Sequence, residues 1–469
     1  MLIPLTRATP TTCGPKAASL ATLLTTGLPV PPGQVIPFPP ASTAGGEELS
    51  GDEVEELRRW LVAAGDPVVA VRSSASNEDG ALASAAGQHD SFLGVQGIDA
   101  VVEAVRACRA SLWSDRATAY RKNVPTPAMA VIIQLHVDAD VSGVLFTSLD
   151  GSTLIESSWG LGPSVVEGRV TPDRYEVHNG HVTRTIADKP TALIREGTRL
   201  VTHQVPADQR RTPTLPDATA VHLAALAHQA TTAFGAPQDI EWAIASNTIW
   251  FLQSRPITTH PPTPPNPTPP TSPPPSAPLK PPAPLTPPAP RTPPVPPAPL
   301  TPPAPRAEPA PRTPPVPAAP LTSSTPPAPR TPPAPPAPRT PPAPPAPRTP
   351  PVPPVPLVLP ALSGTPASRG VASGPARVVR GPGDFASVRP GDVLVCPQTD
   401  PAWTPLLSIA AGVVTETGGV LSHAAIVARE RGIPAVVAVP HATERIPTGA
   451  GITIDGSTGA VQLTSASET

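Results

Sequence analysis

Of the 469 residues, 80 are proline, and most of them sit in one block between about Pro261 and Pro356. Proline fixes φ near about −65° and has no backbone N–H, so such a block enters neither a sheet nor a helix interior. It divides the chain into residues 1–258, a proline-rich linker over residues 259–356, and residues 357–469. Both flanking parts are long enough to bury a core. The block repeats the phrase PPAPRT with small variations. That is low complexity and not a solenoid repeat, because it offers no apolar face to stack. The expected conformation is polyproline II, which over about 100 residues at about 3.1 Å each reaches roughly 300 Å when extended. Such a segment suits a swinging arm. An inert spacer and a docking strip for a proline-recognition domain are the other uses open to it.

The formal net charge is -2 and the pI about 6.6, which gives no global electrostatic reason to bind nucleic acid. Aromatics are only 3% of residues, so stacking platforms for single strands are not expected either. Cys13, Cys108 and Cys396 are scattered and show no CxxC spacing. An odd, unframed set of thiols fits a reducing compartment and neither a disulfide framework nor a zinc site. The start, MLIPLTRATP, has no long apolar core, and no apolar run approaches about 18 residues. The expectation is a cytoplasmic protein with no membrane and no nucleic-acid partner.

The strongest local signal is Thr415-Glu416-Thr417-Gly418-Gly419-Val420-Leu421-Ser422-His423-Ala424-Ala425-Ile426-Val427-Ala428-Arg429-Glu430. AGVVTE before it reads as a short buried strand and AAIVARERG after it as a helix, stopped by Gly432 and Pro434. Ser422 or His423 then sits at the helix N-terminus, where free N–H groups and the dipole favour negative charge. Gly418 and Gly419 let the backbone approach a bound group closely. A neutral imidazole displayed there is a nucleophile near pH 7 and can become a labile phosphoramidate. A histidine merely capping a strand–turn–helix corner would look the same.

In the N-terminal part, Cys13-Gly14-Pro15-Lys16-Ala17-Ala18-Ser19-Leu20 reads as a turn opening a helix with a lysine at the turn, the parts of a phosphate cradle. Pro67 to Ala75 reads as a buried strand ending in Arg72-Ser73-Ser74, and Ala130 to Leu135 as an apolar strand. A hairpin of Asp239-Ile240-Glu241-Trp242-Ala243 and Thr248-Ile249-Trp250-Phe251-Leu252-Gln253 puts Glu241 and Gln253 on adjacent strands. Two such oxygens suit Mg²⁺, which shares its shell with phosphates, although a cross-strand polar pair on a solvated face has the same pattern.

TxTGGxxSHAAIVARExGIPAVV around His423 resembles the phosphohistidine motif of the mobile domain in PEP-utilising enzymes. That group includes phosphoenolpyruvate synthase, pyruvate phosphate dikinase and rifampicin phosphotransferase. Leu421 stands where the dikinases usually have threonine, which looks closer to the rifampicin-type variant. AVRSSAS, ASAAGQHDSFLGVQG, CRASLWSDRATAYR, SGVLFTS, IESSWGLGPSVVEGRVTPDRYEV, QDIEWA and FLQSRPIT are collinear with the group's nucleotide-binding domain. The resemblance implies a mixed α/β (α+β) chain: an ATP-grasp-type nucleotide-binding domain and a small swivelling phosphohistidine β/α domain, on either side of the disordered proline-rich linker read from composition. It implies ATP and Mg²⁺ as cofactors. His423 would be the phosphorylated residue, with Arg255 beside it in catalysis. Lys16, Arg72, Arg116 and Arg255 would contact phosphates, and Gln134, Leu135, His136 and Val137 would line the adenine pocket. Glu241 and Gln253 would hold Mg²⁺ and ribose or phosphate, and Gly87-Gln88 would cover the nucleotide.

Three departures stand out. Pro15 replaces a glycine before the lysine, Pro163 stands where the family tends to have glutamate, and the stretch between Leu28 and Pro67 is short. No acceptor domain is identifiable, and the proline block occupies the place of the drug-binding domain in rifampicin phosphotransferase. The implied activity is transfer of the β-phosphate of ATP to His423, giving AMP and phosphate. Onward transfer would be to an acceptor such as pyruvate or a small molecule, bound by a partner or between the domains. A stand-alone antibiotic or metabolite kinase and a non-catalytic nucleotide-binding scaffold are the alternatives.

Overall fold

The computed structural model describes residues 1–39, 48–78, 89–114, 117, 127–257 and 362–464. The proline block, Arg116 and the Gly87-Gln88 pair lie outside the described residues. The chain is of mixed α/β type, as expected. The described residues on the two sides of the proline block belong to one compact unit.

Two antiparallel sheets build the N-terminal lobe. The first has strands β1 (Ile3–Pro4), β2 (Gly33–Ile36), β3 (Val69–Ala75), β4 (Ser91–Val95) and β5 (Met129–Leu135), in the order β1-β2-β5-β3-β4. Every residue of β3 is buried, because helices cover both faces of the sheet. On one face lie α2 (Gly51–Ala63) and α3 (Ile98–Ala110), whose Leu57, Leu61, Val101 and Val105 pack against Val69, Val71 and Val131. The start of α2 is a capping box, in which Ser50 and Glu53 satisfy each other's backbone N–H. On the other face lies α1 (Pro10–Thr25), whose Leu20 and Leu23 belong to a core shared with the second sheet.

That second sheet comprises β6 (Val141–Thr147), β7 (Thr153–Trp159), β8 (Asp173–His178), β9 (His181–Thr185), β12 (Gln238–Ala245) and β13 (Thr248–Pro256), in the order β13-β12-β6-β7-β8-β9. Between β9 and β12 come a separate hairpin, β10 (Thr191–Glu196) and β11 (Arg199–Gln204), and a helix, Asp217–Phe234, packed on the sheet. Trp242, Phe251 and Tyr175 fill the core beneath that helix.

The C-terminal lobe is an eight-stranded sheet in the order β14-β21-β20-β16-β17-β18-β19-β15. Its centre is parallel: β16 (Val371–Val378), β17 (Val393–Cys396), β18 (Gly412–Thr415) and β19 (Ala435–Val437). β14 (Leu362–Ser363), β15 (Thr365–Ser368), β20 (Gly451–Asp455) and β21 (Ala460–Thr464) are antiparallel additions at the two sides. β17, β18 and β19 are wholly buried, the composition expected of a parallel sheet covered on both faces.

Two expectations about local structure need correction. The strand read over Pro67 to Ala75 starts at Val69, so Arg72, read near its end, sits in its middle, opposite Ile132. The turn read at Cys13 lies inside a helix that begins at Pro10 and kinks at Gly14, where φ is 80°. A Cβ on Gly14 would stand 2.5 Å from the carbonyl oxygen of Ser74, so the kink needs glycine on both counts.

A fully buried ion pair ties the long excursion after β8 to the sheet. Lys189 Nζ donates to Asp173 Oδ1 at 2.6 Å, and both side chains have 0% exposure. Asp173 also accepts from the N–H groups of Ala187 and Thr214, both at 2.9 Å. Removing one member of such a pair strands a charge. Lys189→Met is therefore expected to cost about 3–5 kcal/mol, read as a lower urea midpoint, and wild-type stability would contradict it.

Candidate active site

The site forms where the two N-terminal sheets face each other and the C-terminal lobe closes the end. Lys16 lies just beyond the Gly14 kink, in the first turn of the restarted helix, and Pro15 takes that segment's opening position, where a missing N–H costs nothing. Its Nζ lies 3.4 Å from Ser73 Oγ and 3.3 Å from Glu78 Oε2. Burial works to raise the Glu78 carboxyl. Lys16, His89 and hydrogen bonds from Ala75 and Ser73 more than offset it, leaving the group below the ordinary carboxylate range.

Arg72 reaches from β3 across to the β12–β13 hairpin. Its guanidinium donates to Glu241 Oε2 at 3.1 Å, to Gln253 Oε1 at 3.0 Å and to the carbonyl of Leu252. Glu241 and Gln253 are direct cross-strand partners, as the hairpin reading expected, with a bulge immediately after Glu241. Arg255, further along β13, donates from Nε to Asp239 Oδ2 at 2.7 Å. Burial pushes the Asp239 carboxyl up against the pull of Arg255. Each of the three cations thus faces a carboxylate: Lys16 with Glu78, Arg72 with Glu241, Arg255 with Asp239.

At the end of β5, Gln134 is buried and donates from Nε2 to the carbonyl of Pro31 at 2.8 Å. The backbone N–H of His136 donates to Val68 O at 3.0 Å, so the edge continues beyond the strand. Burial lowers the pKa of His136, which favours the neutral ring. Gln134, Leu135, His136 and Val137 all line one cavity of about 340 Å³, together with Lys16, Arg72, Glu241, Gln253 and Arg255. Pro163 lies on its wall too, at the start of a short helix, Pro163–Val166. The volume is that of a small-molecule site.

His423 lines the same cavity. It is the first residue of the helix His423–Arg431, whose N-cap is Ser422. Ser422 makes no side-chain cap, and its hydroxyl donates to Gly419 O at 2.8 Å. The imidazole is 4% exposed, with Thr399 Oγ1 at 3.1 Å from Nδ1 and Thr404 Oγ1 at 3.4 Å from Nε2. The helix stops as predicted, with Gly432 left-handed at φ 68°.

Sequence reasoning missed Glu78, Asp239, Glu156, Thr399 and Thr404. Glu78 and Asp239 carried a signal, since each is an acid close to a motif arginine or lysine that has to be buried with a counter-charge. The two threonines carried none.

Glu241 and Gln253 suit a hard cation in donor type. Among the described residues no group of three or more His, Cys, Asp or Glu could hold a metal. An ion there would complete its shell from phosphate oxygens and water, as Mg²⁺ commonly does.

Residues 47–272 match the pyruvate phosphate dikinase AMP/ATP-binding domain, and residues 388–459 match the mobile domain of PEP-utilising enzymes. The chain carries counterparts of both the ATP-binding and the mobile domain of PEP-utilising enzymes. A probable phosphoenolpyruvate synthase of Methanothermobacter thermautotrophicus is 30% identical over 96% of this chain and 61% of its own length. Phosphoenolpyruvate synthase of Escherichia coli is 30% identical over 84% of this chain and 43% of its own length. The prodigiosin synthesizing transferase PigC of Serratia marcescens is 38% identical over 52% of this chain and 31% of its own length. The chain therefore spans less than two thirds of these relatives. The cavity is lined mostly by the ATP-binding lobe, with Pro401, Leu421, His423 and Ile426 added from the C-terminal lobe.

If Arg72 grips a phosphate while fastening the hairpin, Arg72→Met is expected to weaken ATP binding by about 10-fold or more, the scale of a lost charged hydrogen bond. Isothermal titration would read this, and an unchanged dissociation constant would remove Arg72 from the nucleotide site.

Proposed function

We propose that this chain is an ATP-dependent phosphotransferase that passes the β-phosphate of ATP to its own His423. One observation carries the reading: His423 opens a helix and lines the same cavity as Lys16, Arg72 and Arg255. In this reading Lys16, Arg72 and Arg255 turn from their carboxylates towards the phosphates. Gln134, Leu135, His136 and Val137 hold the base. Mg²⁺ on Glu241 and Gln253 would neutralise phosphate charge.

In the tautomer whose Nδ1–H donates to Thr399 Oγ1, 3.1 Å away, the Nε2 lone pair of His423 is left for phosphorus. Attack on the β-phosphorus forms the N–P bond and breaks the bond to the α-phosphate oxygen, releasing AMP. Water then removes the terminal phosphate, leaving phosphohistidine. The protein's contribution is positioning and charge neutralisation in a closed site. We assign residues 1–258 to the nucleotide domain, 259–356 to a tether and 357–469 to the carrier domain. The acceptor, pyruvate or another small molecule, would be supplied by a partner or bound at the lobe interface. The three cysteines are buried free thiols, in keeping with a reducing cytoplasm. Among the described residues no helix is long and apolar enough to cross a membrane.

The test is incubation with Mg²⁺ and ATP labelled at the β-phosphate. Acid-labile, base-stable label and AMP are expected with the wild type, and no label with His423→Ala. Label that survives in the variant would move the carrier elsewhere. Tight ATP binding with no label in either protein would favour the scaffold reading.

A further inference from the structure

The loop that carries His423 is fastened to the other lobe through one carboxylate. Glu156, on β7, is 2% exposed, yet its bonds leave its own sheet. Oε1 accepts from the backbone N–H of Val420 at 2.8 Å and Oε2 from that of Leu421 at 2.9 Å, 264 and 265 residues away. Gly419 lies so near that a Cβ there would stand 2.2 Å from Glu156 Oε2. Beside it, Thr417 Oγ1 donates to the carbonyl of Gly168 at 2.6 Å. Val420, Leu421 and Ile426 share a small apolar cluster with Val144, Phe146 and Val165 of the nucleotide lobe.

Burying a carboxylate is costly unless its oxygens are hydrogen-bonded. Burial holds the Glu156 carboxyl above the ordinary carboxylate range, and the Leu421 and Val420 N–H groups, with Arg174 and Arg429, offset only part of this. A side chain needed only to complete the second sheet has no reason to be an acid aimed at another lobe. Two parallel N–H donors call for an acceptor with two oxygens and no hydrogen, which is an ionised carboxylate and not an amide.

We propose that Glu156 is a positioning residue: it docks the His423 loop over the nucleotide cavity by gripping the Val420 and Leu421 N–H groups. Its consequence for catalysis rests on the phosphotransfer reading above, whereas the docking itself does not. Glutamine at this position accepts one N–H and turns its own NH₂ against the other. Alanine accepts neither. Gly419→Ala blocks the same approach from the carrier side, at a glycine outside the left-handed region.

The full chain and its Glu156→Gln, Glu156→Ala and Gly419→Ala variants would be compared by amide hydrogen exchange over residues 418–422. ATP affinity and the rate of His423 labelling at saturating ATP would be measured on the same proteins. Loop amides are expected to exchange about 10-fold faster or more in Glu156→Ala and Gly419→Ala, the scale of leaving buried donors unpaired, and less in Glu156→Gln. Amides of β18 should stay protected, ATP affinity should hold, and labelling should fall in the same order. Wild-type protection of the loop in Glu156→Ala and Gly419→Ala would overturn the proposal. So would undiminished labelling despite lost protection, or protection and ATP affinity falling together across β18, which would mark Glu156 as a folding residue. A wild type that protects the loop but takes no label would sink the phosphotransfer reading, and exchange alone would still decide the docking.

Discussion

One guanidinium holds the cavity between the two N-terminal sheets in shape. Arg72 grows from the middle of a strand whose residues are all buried, so its Cα cannot shift without moving the first sheet. Its far end is bonded to Glu241, Gln253 and Leu252, so the β12–β13 hairpin cannot move without it either. The cavity between the sheets is therefore set by a charged group and not by apolar packing alone. That choice has a chemical use. Guanidinium is planar with donors in a fixed fork, so it can keep strand geometry with some N–H groups and offer others to an anion.

The same economy runs along the wall. Three cations would repel one another and unsettle the fold if they lay bare, but each is balanced by a carboxylate of its own. A buried pair contributes little net stability, because desolvation offsets most of the attraction. For binding, that near-cancellation is an advantage. On the proposed reading, a polyphosphate entering the cavity meets cations that are already desolvated and oriented.

How far this was legible in the sequence depended on the range of each interaction. The Glu241–Gln253 pairing could be read because a hairpin fixes its own register over a few residues. His423 at a helix start could be read for the same reason, since strand, glycines and helix lie within one short run. Arg72 was placed at a strand end because Arg-Ser-Ser is polar. What buries it, a hairpin about 180 residues later, leaves no local trace. Glu156 sits in a largely buried strand as one unremarked acid, and its partners are backbone N–H groups, which have no side-chain identity to find. Thr399 and Thr404 meet His423 only because β17 and β18 are parallel neighbours, so that the loops beyond them meet at one end of the sheet.

The placement of Glu156 bears on how a carrier could leave after loading. Ser422 does not cap the His423 helix, and Glu156 takes the two N–H groups just before it, so the helix's own first turn keeps its positive end for a phosphoryl group. On the proposed chemistry, loading His423 sets a new anion into a buried loop already held by one. Like charges repel more strongly out of water than in it. Arg429 lies near Glu156 and relieves part of this. Burial holds that guanidinium down to about 10, and its NH1 is already bonded to the carbonyls of Ala367 and Val420. The apolar cluster between the lobes is small and indifferent to phosphorylation. The charge is the part of the interface that chemistry changes, so a clasp made by a carboxylate holds the unphosphorylated loop better than the phosphorylated one. An apolar side chain at the same position could dock the loop but could not tell the two apart.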